Sequence, residues 1–275
     1  MIELPEARTI AKDLRKEILG KTIVEVKGNF VDHKFTFYQP DPNSFAAILG
    51  GKKITNVIDR NYYIEIEAGD FSITFRDGAN IRYLPPNSEE PKKSKLYLLF
   101  DDGSALNVTV QMYAFIGIFE KGSPTNNEYY DKELSGIGAL DEKFTYAYFK
   151  SLITEETEKL SLKAFLATQQ RILGLGNGVL QDILFFAHAN PRTKVKDLPE
   201  SRLKDIYDSI RQTLTTMIEQ GGRDTEKNIY GNTGNYETIM SSKNYQNGCP
   251  ACGGAIKKEA YLGGSVYYCP SCQKI

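Results

Sequence analysis

The chain has 275 residues, of which 41% are apolar, and a formal net charge of −1. This length is sufficient for two domains. No apolar run approaches the ~18 residues of a membrane span, so the sequence predicts no membrane partner. A pI of about 6.2 argues against a strong non-specific polyanion binder. The acidic N-terminal residues lack a signal-like apolar core, so we expect a cytoplasmic protein.

The first 122 residues carry the pattern of one helix followed by short strands. Pro5 suits the first turn of a helix over residues 5–19, in which Ile10, Leu14 and Ile18 recur every four residues. Strand patterns follow at 22–26, 63–67, 71–75, 95–100 and 105–110. Short strands with tight turns are typical of an antiparallel β-sandwich. The predicted fold class is therefore α+β.

The rest of the chain is predicted to be helical up to its last segment. Residues 123–142 are rich in Gly, Ser, Asn and Asp and are predicted to form a linker. A helical period marks a domain over 143–248, which ends in an irregular stretch at 221–248. Residues 249–275 are predicted to form a separate metal-binding tail.

The four cysteines all lie in that tail, as Cys249-x-x-Cys252 and Cys269-x-x-Cys272 separated by sixteen residues. Two such pairs predict one structural zinc ion held by four thiolates. Gly263-Gly264 between the pairs predicts the turn of a β-hairpin. Two disulfides or free buried thiols are the alternatives. Because all four cysteines are predicted to bind metal and not to form disulfides, we expect a reducing, cytosolic location.

A glycine-rich turn is the most informative part of the helical domain. Gly174 and Gly176 interrupt the helical pattern, and Asn177 is expected to be the N-cap of the next helix. Such a turn can present N–H groups to a phosphate. A plain helix–turn–helix corner capped by Asn177 explains the same residues.

Together these features resemble the formamidopyrimidine-DNA glycosylase/endonuclease VIII family. The resemblance rests on Glu3-Leu4-Pro5-Glu6, on Gly174-Leu-Gly-Asn177 and on the four-cysteine tail, and it covers essentially the whole chain. It implies an N-terminal helix and β-sandwich, a helix–two-turn–helix and a β-hairpin zinc finger. It also implies removal of oxidised bases and cleavage of the abasic strand, with the amine of an N-terminal proline as nucleophile and a glutamate as acid/base.

The sequence departs from this pattern at the nucleophile. Glu3 is kept, but Ile2 stands where the family has proline. Unless Met1 is removed, the nitrogen of Ile2 is an amide whose lone pair is delocalised. The nearest substitute is the Met1 α-amine, displaced by one residue, or about 3.8 Å. The predicted catalytic residues are thus Glu3 and Met1, although Glu3 also suits the start of the first helix.

Other departures fall on the predicted DNA contacts. Asn61 aligns with a phosphate-binding lysine, with Arg60 one position away, and Gly264 aligns with the hairpin arginine. Gly78 stands where a bulky wedge is expected, whereas Met112 and Tyr113 keep bulky groups in the second void-filling loop.

The remaining predicted nucleic-acid contacts come from the helical domain and its tail. Gly176 and Asn177 would bind a phosphate together with Lys257 and Lys258 of the hairpin. Arg223, Tyr230 and Tyr236 lie where the family carries a base-reading loop, and a mobile surface loop is the alternative.

Three functions are compatible with these features. The first is a monomeric protein that binds damaged or distorted duplex DNA, nucleoid-associated in a bacterium, with its glycosylase and lyase chemistry lost or strongly weakened. The second is an active glycosylase/AP lyase that uses the Met1 α-amine or a lysine with Glu3. The third is a module that binds structured RNA or a ribonucleoprotein.

Overall fold

The computed structural model describes residues 1–29 and 33–274 and divides into two compact units. The first unit contains residues 1–135 and 226–234, and the second contains residues 136–225 and those from 235 onward. The division at 135 falls inside the predicted linker. That segment is not purely irregular, because it contains a helix, α3 (Glu128–Ser135).

Among its described residues, the first unit contains one continuous sheet and three α-helices. The sheet order is β1-β6-β7-β5-β4-β3, with β2 paired to β7. Neighbouring strands are antiparallel except β2 and β7, which are parallel. The remaining elements are α1 (Leu4–Ile18), β1 (Ile23–Gly28), β2 (Thr36–Gln39), α2 (Phe45–Leu49), β3 (Ile54–Asp59), β4 (Tyr63–Ala68), β5 (Phe71–Leu84), β6 (Leu96–Phe100) and β7 (Ala105–Glu120).

The predicted antiparallel sheet is confirmed, but two of its strands are much longer than the pattern indicated. β5 has 14 residues and β7 has 16. Each strand contains an irregularity, so the sequence pattern did not show that the strand continues. β5 has a register shift after Asp77, and β7 has a positive φ at Met112. Ile66 of β4 and Leu98 of β6 share one core with the apolar face of α1, so the two ends of the sheet pack together as in a sandwich.

The second unit combines helices with a two-stranded hairpin. Its elements are α4 (Tyr146–Ser151), α5 (Leu162–Ala167), α6 (Asn177–Phe186), α7 (Glu200–Glu219), β8 (Lys257–Tyr261) and β9 (Gly264–Tyr268). A helix–two-turn–helix and a C-terminal hairpin are therefore present as predicted. Among the residues that the structure describes, no helix has both the length and the apolar character of a bilayer span.

Two local predictions in the second unit are wrong by one residue. The N-cap of α6 is Gly176, which has an extended backbone, and Asn177 is the first helical residue. The hairpin turn is Leu262-Gly263, not Gly263-Gly264. Both turn residues have positive φ, as a two-residue type I′ turn requires. Gly264 consequently opens β9 opposite Tyr261.

Candidate functional site

The N-terminus is held at both of its first two residues. The terminal nitrogen of Met1 forms an ion pair with Glu226, at 2.5 Å from Oε2. Glu226 belongs to the segment 226–234 of the same unit. The amide of Ile2 donates to the carbonyl oxygen of Asp77 at 2.7 Å, and Ile2 is only 5% exposed. The nitrogen of residue 2 is thus a buried, hydrogen-bonded amide in this chain.

Glu3 is the N-cap of α1 and is only 3% exposed. It forms a capping box with Glu6, in which the Glu3 amide donates to Glu6 Oε2 at 3.3 Å. The capping box therefore supports the interpretation that Glu3 stabilises the start of α1. Its predicted acid/base role stays a prediction.

The segment 226–234 packs on the sheet of the first unit and is only part of the predicted base-reading loop. The amide of Tyr83 donates to Ile229 O at 2.9 Å, and Arg82 Nη1 donates to Asn228 O at 3.0 Å. The Tyr230 hydroxyl donates to Glu17 Oε1 of α1 at 2.7 Å. Because no local sequence pattern links residues 226–234 to the sheet, Glu226 was not among the predicted site residues.

Gly78 lies where the backbones of β5 and β7 approach each other closely. A Cβ atom at this position would lie 1.9 Å from the carbonyl oxygen of Gln111 and 2.7 Å from that of Tyr113. No side chain fits there. The packing of β5 against β7 therefore requires glycine at position 78 and excludes a bulky wedge there.

Met112 and Tyr113 carry bulky side chains on β7, the strand that pairs with β5. Met112 has a φ of 68° and is 67% exposed, and Tyr113 is also exposed. A large apolar side chain held outward on a left-handed residue is unusual, since positive φ is strained for any residue with a Cβ. The exposure of both residues agrees with a contact role for them.

Asn61 and Arg60 lie in the turn between β3 and β4. The amide of Asn61 donates to Glu133 Oε1 at 2.5 Å, and that of Tyr62 donates to the same oxygen at 3.2 Å. Burial raises the pKa of Glu133, although these amide hydrogen bonds act in the opposite direction. Arg60 Nε pairs with the buried Glu65 at 2.8 Å. Arg60 is therefore engaged within the unit, and a carboxylate contacts the backbone where the resemblance implied a cation.

The start of α6 contacts the hairpin directly. Asn177 Nδ2 donates to Ser265 O at 3.2 Å, and Gln181 Nε2 donates to the same oxygen at 3.2 Å. Lys163 of α5 donates to the carbonyl of Tyr261, and burial lowers its pKa. A Cβ on Gly264 would lie 3.5 Å from both Asn177 Nδ2 and Lys163 Nζ. Asn177 thus positions the hairpin, a role that the sequence did not indicate.

The other predicted contacts differ in accessibility. Lys257 and Lys258 are exposed on β8, and Lys258 Nζ lies 5.6 Å from the ring centroid of Tyr245. Arg223 is only 3% exposed and Tyr236 is buried as well. Both side chains are almost fully buried in this arrangement, so the structure does not support base contacts by Arg223 or Tyr236.

The four cysteines converge as a metal site requires. Their sulfur atoms all lie within 4.8 Å of one another. The distance is 3.7 Å from Cys249 to Cys272 and 3.5 Å from Cys252 to Cys269. A tetrahedral ion with ligands at about 2.3 Å separates its sulfurs by about 3.8 Å, whereas a disulfide requires about 2.05 Å. The donor set therefore fits one metal ion and not the alternative of two disulfides.

Family models match most of the chain. The model described as the formamidopyrimidine-DNA glycosylase N-terminal domain matches residues 1–111. The model described as the formamidopyrimidine-DNA glycosylase H2TH domain matches residues 136–228. The two matches occupy the same order that the motifs predicted.

Whole proteins give the same result. The formamidopyrimidine-DNA glycosylase of Bacillus cereus is 26% identical over 281 residues, with 99% of each chain covered. That of Lactobacillus delbrueckii subsp. bulgaricus is 27% identical over 285 residues, with 100% of each covered.

Two solved structures share the fold. MutM (Fpg) of Thermus thermophilus aligns with a TM-score of 0.80 at 23% identity, with 98% of each chain covered. Lactococcus lactis Fpg in complex with DNA containing an abasic site aligns with a TM-score of 0.81 at 24% identity, with 99% of this chain and 100% of that chain covered.

Proposed function

Because this chain belongs to the formamidopyrimidine-DNA glycosylase/endonuclease VIII family, we propose that it binds damaged or distorted duplex DNA with its glycosylase and lyase chemistry lost or strongly weakened. The observation that carries this proposal is the bonding of the backbone nitrogens of Met1 and Ile2. The Ile2 nitrogen is a buried amide that donates to Asp77, and the Met1 nitrogen is an ammonium paired with Glu226.

Both nitrogens are engaged within the chain, which supports the proposal that attack on a sugar carbon is weakened. An amide lone pair is delocalised into its carbonyl. An ammonium carries no lone pair until it loses a proton, and here a carboxylate at 2.5 Å accepts its hydrogen bond. Nucleophilic catalysis requires a free amine in near-attack geometry, and the hydrogen bonds of both nitrogens oppose that requirement.

The charges around the predicted phosphate contacts support weaker phosphate binding in the first unit than in the second. Glu133 contacts the backbone at Asn61, and a nearby negative charge opposes a phosphate there. In the second unit, the N-terminus of α6 at Gly176 and Asn177 faces the hairpin that carries the exposed Lys257 and Lys258. A helix N-terminus and exposed ammonium groups each favour a phosphate.

We propose that the metal is a single structural zinc ion held by Cys249, Cys252, Cys269 and Cys272. Four thiolates close the tetrahedron, so the ion has no open position for chemistry. When bound, it would stabilise the tail by joining its two C-x-x-C turns. Cys249 and Cys269 also share one buried apolar cluster with Phe185 of α6, so the ion would support the hairpin that Asn177 positions.

The test combines binding and trapping on the same DNA. Competition binding would compare an abasic duplex, an intact duplex and a structured RNA over a salt series. Borohydride trapping on the abasic duplex would detect any Schiff base. We expect tightest binding to the abasic duplex and little trapped adduct.

Two results would contradict this proposal. Processing of an oxidised-base duplex at ordinary family rates, with an adduct that disappears when the α-amine is blocked, would instead support the active enzyme. Preference for the structured RNA would support the RNA-binding alternative. Size-exclusion chromatography tests the proposed monomer.

A further inference from the structure

A cavity of about 450 Å³ opens in the second unit, between the C-terminal end of α6 and one face of α7. Its volume lies in the range of about 300–1,000 Å³ that is usual for small-molecule sites. All of its lining residues belong to the second unit, so the cavity is formed within one compact unit. Apart from Tyr236, none of these residues was a predicted site residue.

The cavity lies away from the predicted phosphate contact. That contact is at Gly176 and Asn177, where α6 begins, whereas Phe186, the last residue of α6, and Ala187 line the cavity. A helix of ten residues spans about 15 Å. A ligand in the cavity would therefore leave free the end of α6 that is proposed to face a phosphate.

One face of α7 forms a polar wall of the cavity. Its lining residues recur every three or four positions and therefore share one side of the helix. They are Asp205, Asp208, Ser209, Gln212, Thr213 and Thr216. Each carries a carboxylate, a hydroxyl or an amide, whereas a helix face that packs only against protein is usually apolar. This wall suits a ligand that both donates and accepts hydrogen bonds.

Charges of both signs stand together on this wall. Arg202 Nη1 lies 3.3 Å from Asp205 Oδ2 and 3.5 Å from the carbonyl oxygen of Ala187. Both distances exceed the roughly 2.7–2.9 Å of a strong charge-assisted hydrogen bond. The two charged side chains are 42% and 51% exposed, and ion pairs this exposed contribute little to stability. A ligand can therefore replace these contacts with shorter ones of its own.

Other parts of the wall are apolar or aromatic. Phe186 is a large apolar side chain, yet it is 49% exposed. Ala187 and Tyr236 are buried and also line the cavity. A ligand that covers Phe186 would remove apolar surface from water, which favours binding.

We propose that this cavity binds a free α-amino acid with an apolar or aromatic side chain. Such a zwitterion carries an ammonium and a carboxylate on one carbon atom, and the Arg202–Asp205 pair presents the complementary charges 3.3 Å apart. The ligand carboxylate would accept from Arg202, and its ammonium would donate to Asp205 and Asp208. Its side chain would pack on Phe186.

A ligand with only one of these charges fits less well. A pure cation would be repelled by Arg202, and a pure anion would be repelled by Asp205 and Asp208. The proposal goes beyond the proposed function and does not depend on it.

The test is calorimetric titration of the full chain with L-phenylalanine. We expect one site per chain. N-acetyl-L-phenylalanine lacks the ammonium and L-phenylalaninamide lacks the carboxylate, so each should bind at least about tenfold more weakly.

Variants assign each charge to its partner. Arg202→Gln and Asp205→Asn should each weaken the binding of L-phenylalanine about tenfold. Arg202→Gln should not weaken the binding of L-phenylalaninamide further, because that compound has no carboxylate to lose a partner. Glu200→Gln is the matched control for Asp205→Asn, because it changes a carboxylate to an amide on α7 outside the cavity.

Three results would overturn the proposal. The first is no binding of L-phenylalanine at concentrations up to about 10 mM. The second is equal binding of all three compounds, because the charged pair would then play no part. The third is displacement of L-phenylalanine by an abasic duplex, which would assign the cavity to a nucleic-acid interface. We expect a saturating duplex to change the affinity for L-phenylalanine by less than about twofold.

Discussion

The terminal nitrogen of Met1 and the carboxylate of Glu226 lie 2.5 Å apart although 225 residues separate them in the chain. Side chains of both residues are partly exposed, so the pair is worth up to about 1 kcal/mol. We expect it to matter for chemistry more than for stability, because it engages the Met1 α-amine, which lies one residue from the nucleophile position that the family resemblance implies. Both partners belong to the first unit.

Glu226→Gln should make the Met1 amine more reactive. Gln keeps the side-chain volume but removes the charge that binds the ammonium. We expect the yield of borohydride-trapped adduct on an abasic duplex to rise by up to about fivefold, which corresponds to ~1 kcal/mol. The adduct should disappear after acetylation of the α-amine.

Glu17→Gln is the control for this variant. It removes the carboxylate that accepts the Tyr230 hydroxyl, so it loosens the same segment without touching the amine. Its adduct yield should match the wild type. An unchanged yield in Glu226→Gln would show that the ion pair does not restrain the amine.

Gly78→Ala should destabilise the first unit strongly. Its Cβ would lie 1.9 Å from Gln111 O, a backbone atom that cannot move without shifting β7. Overpacking usually costs about 1–3 kcal/mol, and we expect the upper end of that range. Urea unfolding measures the change. Gly264→Ala is the control, because its nearest contacts are an ordinary 3.5 Å and its loss should stay below about 1 kcal/mol.

Cys252→Ser should abolish metal binding. Removal of one thiolate opens the tetrahedron, and structural zinc contributes directly to folding free energy. Native mass spectrometry should show one zinc ion in the wild type and none in the variant, and limited proteolysis should then cut within residues 249–274. Ser271→Ala, between two ligands, should retain the metal. A fully protected tail in metal-free Cys252→Ser would contradict the proposed role of the ion.

Asp102→Asn should change the acid stability of the first unit. Burial opposes ionisation of Asp102, but hydrogen bonds from Lys21 and Ser104 outweigh it and lower its pKa to about 2. A depressed pKa gives stability that is present above the unfolded value of about 3.9 and is lost as the pH falls towards 2. Because Asp102 is partly exposed, the effect should stay below about 1 kcal/mol.

Unfolding followed between pH 5 and pH 2 measures this effect. The wild type should lose more stability over that interval than Asp102→Asn does. Asp101→Asn, which changes the neighbouring exposed carboxyl, should follow the wild-type profile. Identical profiles for all three proteins would show that the Lys21–Asp102 pair does not contribute to acid stability.

Local patterns in the sequence were sufficient for much of the architecture. The four-residue repeat of α1, the short aliphatic strands and the two C-x-x-C pairs each determine a local structure by periodicity, turn chemistry or ligand type. The family resemblance that they supported is confirmed by the matches over residues 1–111 and 136–228. The predicted helix cap at Asn177 and the predicted turn at Gly264 were each wrong by one residue. Cap and turn positions depend on backbone angles that several neighbouring residues can adopt.

The sequence alone established that residue 2 is not proline, and therefore that its nitrogen is an amide in any chain that keeps Met1. Only the tertiary structure decided which groups surround that terminus. Glu226 and Glu133 reach their sites through contacts between residues far apart in the chain, and no local pattern encodes such contacts. The close approach at Gly78 is likewise a property of two strands packed together, which neither strand's sequence specifies by itself.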